Sequence, residues 1–342
     1  MIVIGIDPHR QTHTAAAVDG VSGQLLGELT LPASPEGAER LVGWVGRFGG
    51  DPLYALEDCR HVSRSLESFL LARSERLVRV PPKLMAAERR SDRRRGKSDA
   101  IDALAVARAA LREQLPSALP DPAAREIKLL LDHREDLVGE RTRLETRLRW
   151  HLHELELGLE VPQAALSRPL WQRRLASRLA GLEQTTLVVI AREQLLRISE
   201  LTGRARQLEQ QISRLVQRDG AALLALPGCG ALTAAKILAE AGTVSRFHSD
   251  AALALHAGVA PLDASSGRQQ RHRLNRSGNR QLNCALHRIA VTQARTYGPA
   301  RDYIARKQAE GKTRREALRC LKRHLARVVY RALAATPTPA LT

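Results

Sequence analysis

Four acidic residues in the N-terminal part of the chain have the types and the spacing of a metal site. Asp7 ends a short apolar run, MIVIGID, and Glu57 ends a second one, PLYALE. Asp99 and Asp102 are three residues apart at the start of a predicted helix, so they share one helix face. Carboxylates brought together repel and raise one another's pKa values, and a hard divalent cation such as Mg²⁺ relieves that repulsion. Such ions can activate the attacking group and stabilise the leaving group in phosphoryl transfer.

Each acid taken alone has an ordinary explanation. Asp99 could simply favour a helix N-terminus, and Asp7 could be a turn residue. The four together, at the ends of predicted strands and on one helix face, favour the metal site. His9 and His13 are interpreted as surface residues rather than ligands. Four basic residues before Asp99 could draw a phosphate into this anionic pocket. They are Arg93, Arg94, Arg95 and Lys97.

A glycine-rich turn, LPGCG, lies between two predicted helices near the start of the C-terminal part. Gly228 and Gly230 permit close backbone approach, and the helix that follows begins with exposed N–H groups. The pattern predicts a helix-hairpin-helix that grips a phosphate without reading bases. A tight turn between two helices that binds nothing is the alternative.

A serine pair followed by many arginines is the second place where chemistry could occur. Ser265 and Ser266 precede Gly267 in a predicted loop. A serine hydroxyl is a weak nucleophile unless a base or a metal activates it, and arginines can clamp the phosphate that it attacks. From the residues alone, a Ser-Ser-Gly segment is more often simply a loop. The predicted nucleic-acid contacts here are Arg268, Arg271, Arg273, Arg276, Asn279 and Arg280.

Composition points to a polyanionic partner. Lys and Arg number 54 against 36 Asp and Glu, a formal net charge of +18, which favours nucleic acid. Aromatic residues are only 3%, so phosphate contacts are favoured over base stacking. The four cysteines are far apart and indicate neither a zinc site nor a disulfide framework. Without a signal peptide or a run of about 18 apolar residues, we expect a cytoplasmic protein with no membrane partner.

The elements that must position these residues fall into three regions. Residues 1–115 predict an α/β domain with three antiparallel strands, then helix, strand, helix, strand, helix. Residues 122–218 predict long helices with a heptad seam, either a helical hairpin or an intermolecular coiled coil. Residues 219–335 predict a basic, mainly α-helical domain. The seam consists of Ile198, Leu201, Ala205, Leu208, Ile212 and Leu215.

These motifs together resemble the DEDD-type insertion-sequence transposases of the IS110 family, nearly from end to end. The resemblance lies in IGID, ALE and GKSDAIDALAVA with the four acids, then in LLALPGCGALTAAKIL, HAGVAP and SGNRQL. It implies a ribonuclease-H-like (RuvC-like) N-terminal domain that binds Mg²⁺ through the tetrad. It also implies a C-terminal transposase domain with a serine nucleophile, matched by Ser266, although Ser265 stays an adjacent candidate. One departure is Asp58-Cys59, where many relatives have a small residue and a hydroxyl.

The resemblance further implies a recombinase that forms a covalent 5′-phosphoserine link to donor and target DNA. The tetrad and the serine would come from different subunits of a homo-dimer or tetramer, guided by a structured non-coding (bridge) RNA. Two other functions stay open. One is a metal-dependent RuvC-like Holliday-junction nuclease that cuts with activated water. The other is a non-catalytic nucleic-acid-binding protein, against which the four intact carboxylates argue.

Overall fold

The computed structural model describes residues 1–91, 98–157, 160–264, 272–276 and 278–335. Several predicted site residues lie outside the described residues: Arg93, Arg94, Arg95, Lys97, Ser265, Ser266, Arg268 and Arg271. The chain divides into two compact units. One comprises the chain up to Pro122 together with the chain from Ala241 onward, and the other comprises Ala123–Glu240.

A five-stranded mixed sheet forms the centre of the N-terminal segment. Strands β1 (Ile2–Pro8), β2 (Thr12–Asp19) and β3 (Leu25–Pro32) form an antiparallel meander, as predicted. Strands β4 (Pro52–Glu57) and β5 (Arg76–Val80) extend the sheet in parallel with β1, giving the order β3-β2-β1-β4-β5. The predicted α/β class of this segment is confirmed.

Helices cover both faces of this sheet. They are α1 (Pro35–Val45), α2 (Arg60–Ala72), α3 (Pro82–Ser91) and α4 (Asp99–Arg112), with a short 3-10 turn at Gly46–Phe48. Side chains alternate between faces along a strand. Ile4 and Ile6 therefore pack with residues of α1 and α2, whereas Val3 packs with residues of α3 and α4.

Helix α3 is absent from the sequence prediction, which treated Pro81-Pro82 as a break. Pro82 instead begins the helix. Proline is tolerated in the first helical turn, since its missing N–H has no partner there. Met85 anchors α3 in the core, where it is 1% exposed.

Helix α4 lies directly against β1, because Gly5 leaves no side chain between them. A Cβ on Gly5 would lie 2.1 Å from the Ala103 carbonyl oxygen and 2.4 Å from the Ala107 nitrogen. Ser98 caps the helix, its hydroxyl accepting a hydrogen bond from the Ile101 N–H. The close approach brings the first turn of α4 to the end of β1.

The second unit is helical, as predicted. It contains α5 (Pro122–Glu154), α6 (Pro169–Ala180), α7 (Thr186–Asp219), the single turn α8 (Ala221–Leu224) and most of α9 (Ala231–Ala241). Helices α5 and α7 run antiparallel, as shown by ion pairs from Arg134 to Glu209 and from Arg197 to Glu140. The two helices therefore form a helical hairpin within one chain, and an intermolecular coiled coil stays a prediction.

Most of the heptad seam on α7 is buried, since Ile198, Leu201, Ala205, Leu208 and Ile212 are each at most 3% exposed. The prediction is wrong at its last position. Leu215 is only half-buried, and Val216 is fully buried in its place. A straight α-helix has 3.6 residues per turn rather than 3.5, so a strict heptad drifts off the buried face.

The C-terminal segment is mainly α-helical, as predicted. Its helices are α10 (Asp250–His256), α11 (Arg280–Thr296), α12 (Gly298–Ala309) and α13 (Arg314–Ala334), preceded by a 3-10 turn at Val244–Arg246. Helix α13 packs on the other three. A small antiparallel pair, β6 (Pro261–Asp263) and β7 (His272–Leu274), was not predicted. Among the described helices, none is long and apolar enough to cross a membrane.

Candidate metal centre

The register of two parallel strands places Asp7 beside Glu57. Ile6 of β1 pairs with Leu56 of β4, so the two acids are the next residues at the carboxyl ends of adjacent strands. Ala55, two residues before Glu57, packs in the core cluster that includes α4. Because side chains alternate, both acids face α4. The Asp7 and Glu57 side chains share a hydrogen bond, Asp7 being 3% exposed and Glu57 half-buried.

Helix α4 contributes the other two acids from its first turn. Asp102 is 7% exposed and close enough for its charge to act on Asp7. Asp99 is more exposed, and its Oδ1 lies 3.3 Å from His9 Nε2. His9 Nε2 also lies 3.2 Å from Asp7 Oδ2. Among the described residues, potential ligand atoms of Asp7, His9 and Asp99 all lie within 4.8 Å of one another.

The electrostatics of the site show an excess of negative charge. The pKa of Asp7 is raised from 3.8 to about 6, first because burial disfavours the charged carboxylate. The charge of His9 lowers the pKa of Asp7 and so opposes the effect of burial. The hydrogen bond that the protonated Asp7 makes with Glu57, and the charges of Glu57 and Asp102, raise the pKa of Asp7 further. Mutual repulsion of the acids was expected from the sequence, whereas the leading contribution of burial was not.

The residues present fit a divalent cation. Asp7 Oδ2 is buried and accepts no well-formed hydrogen bond from the described residues, although His9 Nε2 is near. A buried polar atom without such a partner is costly, and a cation supplies one. The surrounding donors are mainly carboxylate oxygens, which hard divalent ions prefer. Asp7 and Asp99 can therefore hold an ion directly, with Glu57 and Asp102 next to them.

Cys59 lies two residues after Glu57, at the position noted in the sequence as a departure from the family pattern. Its thiol hydrogen-bonds to Glu57, and its pKa is raised to about 12 by burial, then by the charge and the hydrogen bond of Glu57. The thiol therefore stays protonated and donates to the carboxylate. Cys59 therefore places a hydrogen-bond donor beside Glu57.

The two histidines of the first hairpin differ from the sequence interpretation. Half of the His9 side chain is exposed, as expected of a surface residue, but its ring nitrogen lies between two carboxylates. Its position two residues after Asp7, one residue past the end of the same strand, was a signal that the two side chains lie on the same side. The surface assignment of His13 is wrong. It is 5% exposed because β2 lies between β1 and β3, and burial lowers its pKa.

The LPGCG segment forms a tight turn between α8 and α9, and the helix-hairpin-helix stays a prediction. Gly228 has a φ of +79°, a backbone conformation that favours glycine. The Gly230 carbonyl accepts hydrogen bonds from Thr233 and Ala234 as α9 begins. Helix α8 is only four residues long. The structure therefore contains the turn, whereas the binding of a phosphate by it stays a prediction.

Two sequence motifs of the C-terminal segment are packed together through glycines. A Cβ on Gly278 would lie 2.2 Å from the Gly258 nitrogen, so both positions require a bare backbone. Asn283 Nδ2 donates to the carbonyls of Ala257 and Gly258 at 2.9 and 3.2 Å. The Asn279 side chain caps α11, accepting from the Leu282 N–H at 2.9 Å. Three of the arginines predicted to contact nucleic acid lie in the part of the chain that the structure describes, and all three are exposed: Arg273, Arg276 and Arg280.

Comparison with known proteins agrees with these features. A model of DEDD transposases of the IS110 type, described as "Transposase", matches residues 4–156. A second model, "Transposase IS116/IS110/IS902 family", matches residues 220–305.

Relatives come from bacterial insertion elements. The IS116 protein of Streptomyces clavuligerus is 27% identical, over 100% of this chain and 98% of that protein. The IS110 protein of Streptomyces coelicolor is 30% identical, over 68% and 70%. The IS900 protein of Mycobacterium paratuberculosis is 27% identical, over 82% of each.

Two solved structures of Thermus thermophilus RuvC, one with a Holliday junction substrate, are also similar to this chain. They cover 34% of it and 99–100% of their own length, at 15% and 16% identity. Their TM-scores are 0.27 and 0.28. The regions that the family models and the relatives match contain the four acids and the glycine motifs. The chain therefore belongs to the IS110 family of transposases.

Proposed function

We propose that this transposase moves an insertion sequence by cleaving and exchanging DNA strands with a divalent-cation site and a serine nucleophile. The cation site consists of Asp7, Glu57, Asp99 and Asp102. The observation that carries the proposal is the buried Asp7 oxygen that faces the other acids without a well-formed hydrogen bond. Mg²⁺ is the ion that such an oxygen-rich donor set suits, and when bound it stabilises charge on a reacting phosphate.

In the proposed reaction, the Ser266 hydroxyl oxygen attacks a phosphate of the DNA backbone. A bond forms between that oxygen and phosphorus, and the bond from phosphorus to the 3′ oxygen breaks. The serine gives up its proton, and the leaving oxygen gains one to become a 3′-hydroxyl. The product is a 5′-phosphoserine, which a 3′-hydroxyl from another strand can attack in turn. Because each step exchanges one phosphoester for another, strand rejoining needs no external energy source.

The basic residues support this reaction by binding phosphates. Arg273, Arg276 and Arg280 are exposed and can contact the DNA backbone, with Arg268 and Arg271 beside them in sequence. The net charge of +18 implies binding that weakens steeply with added salt. The turn at Gly228 and Gly230 offers backbone N–H groups to a further phosphate.

The proposed partners are donor DNA, target DNA and a structured non-coding guide RNA. The proposed assembly is a homo-dimer or tetramer in which one subunit supplies the tetrad and another supplies the serine. These features rest on the family resemblance, and the strongly basic surface is compatible with RNA as well as DNA. A protein that acts on bacterial DNA in this way works in the cytoplasm, at the nucleoid.

The test is to trap the covalent intermediate. The full-length chain is incubated with Mg²⁺, DNA carrying the element ends and RNA transcribed from the element's flank, and the products are separated under denaturing conditions. We expect a protein–DNA adduct with the wild type and with Ser265→Ala, and none with Ser266→Ala or Asp7→Asn.

Two results would contradict the serine mechanism. One is full strand exchange by Ser266→Ala. The other is metal-dependent cleavage that leaves free 5′-phosphate ends with no adduct, which would indicate a junction nuclease using water. Unchanged activity of an Asp7→Asn, Asp102→Asn double variant would contradict the metal assignment.

A further inference from the structure

We propose that His9 is a ligand of the cation, so that the site combines one imidazole nitrogen with the carboxylate oxygens of Asp7 and Asp99. This inference rests on the metal site of the proposed function and adds a residue to it. The predicted tetrad does not include this histidine.

The geometry places His9 inside the site rather than beside it. Its Nε2 atom lies 3.2 Å from Asp7 Oδ2 and 3.3 Å from Asp99 Oδ1. Ligand atoms of these three residues lie within 4.8 Å of one another, a spacing at which one ion can contact all three. The side chain of Asp7 is 5% exposed, and its Oδ2 is the oxygen without a well-formed hydrogen bond.

The backbone holds His9 in this position. It is the first residue of the turn between β1 and β2, and its N–H donates to the Thr12 carbonyl at 2.8 Å. Pro8 and His13 pair across the base of the turn. At the far side, the Ala33 N–H donates to the Gln11 carbonyl at 2.9 Å. A ligand on a braced turn loses less conformational entropy on binding than one on a free loop.

The chemistry of the donor set separates two roles for this histidine. As a ligand, the ring binds the ion through Nε2, one of the two ring nitrogens that can coordinate a metal. Imidazole suits transition metals, whereas Mg²⁺ prefers oxygen, so His9 should favour Mn²⁺ over Mg²⁺. As a mere counter-ion to the two carboxylates, His9 would compete with a cation. Its removal would then strengthen metal binding.

The experiment uses Mn²⁺ itself as the probe on the full-length chain. Pulsed electron paramagnetic resonance detects ¹⁴N coupled to bound Mn²⁺, and calorimetry gives the affinities for Mn²⁺ and Mg²⁺. The variants are His9→Gln and, as a matched control, His153→Gln, which replaces an exposed histidine on α5. Asp7→Asn identifies the ion that belongs to this site, and thermal melting confirms that each variant is folded.

We expect a ¹⁴N coupling in the wild type and in His153→Gln that is absent from His9→Gln. Affinity of His9→Gln should fall ~10-fold for Mn²⁺ and less than ~3-fold for Mg²⁺. A coupling that persists in His9→Gln, or tighter Mn²⁺ binding by that variant, would overturn the proposal and leave the acidic site intact. Mn²⁺ binding that Asp7→Asn does not weaken would overturn the metal site itself, and the proposed function with it.

Discussion

Replacing Asp7 by Asn should stabilise the protein in the absence of divalent metal while it abolishes activity. The Asp7 carboxyl is buried among other acids, and its pKa is raised from 3.8 to about 6. At neutral pH the folded chain therefore holds a carboxylate whose ionisation costs more free energy than it does in the unfolded chain. An amide has nearly the same shape and no charge, so Asp7→Asn removes this cost. It also removes a charge that the cation requires.

The magnitude follows from the pKa of Asp7. A pKa difference of 1 corresponds to about 1.4 kcal/mol, so the ionised carboxyl destabilises the fold by up to ~3 kcal/mol well above pH 6. Because the folded pKa is raised, the native state binds the proton more tightly than the unfolded chain. Stability is therefore highest below about pH 4 and falls as pH rises through about 6. By the same relation, the destabilisation at pH 5 is about half of that at pH 7.5.

The assay is thermal unfolding of the wild type and Asp7→Asn in a metal chelator at pH 7.5 and pH 5. We expect the variant to be more stable by ~1–3 kcal/mol at pH 7.5, a rise in Tm of roughly 2–10 °C, and by about half as much at pH 5. Adding Mg²⁺ should raise the Tm of the wild type but not that of the variant. Asp136→Asn, at an exposed position on α5, should change stability by less than ~0.5 kcal/mol at either pH.

Two results would refute this reasoning. If Asp7→Asn is less stable than the wild type in chelator at pH 7.5, the carboxylate is already well satisfied within the protein. If the difference between the two proteins is the same at pH 5 as at pH 7.5, it does not arise from ionisation of Asp7.

Three further substitutions test how the fold positions the site. Gly5→Ala should lower the unfolding free energy by more than ~2 kcal/mol and weaken metal binding, because its methyl group would push α4 away from β1. As a control, Gly43→Ala has open space around it and should be neutral or stabilising in the same thermal melts. Gly278→Ala should cost at least ~2 kcal/mol and abolish adduct formation, measured by melting and denaturing gels, because two backbone segments touch there. Glu67→Gln should cost ~3 kcal/mol in chemical denaturation, because it breaks the buried bidentate pair with Arg79.

The sequence predicted the sheet and the meeting of the acids because strand periodicity is a local property. Asp7 and Glu57 each end an apolar run, and parallel strands bring such ends to one edge of a sheet. The spacing of Asp99 and Asp102 likewise placed both on one face of α4. In each case the pattern of a few consecutive residues carried the information.

Other features of the site could not be predicted, because they depend on packing between distant segments. The role of Gly5 appears only when α4 lies on β1, about 100 residues later in sequence. The position of His9 depends on how tightly the β1–β2 turn closes. The burial of Val216 rather than Leu215 at the end of the heptad seam depends on whether α7 supercoils or stays straight.

The state of Cys59 bears on which nucleophile this site can use. A thiol beside two carboxylates could in principle attack a phosphate, but only as a thiolate. With its pKa at about 12, Cys59 stays protonated at neutral pH and donates to Glu57 instead. Acids and His9 are the remaining titratable groups of the described site, and they suit metal binding and proton transfer rather than a covalent link to DNA. The attacking group must then come from water or from another segment of the protein, as the proposal that Ser266 is the nucleophile requires.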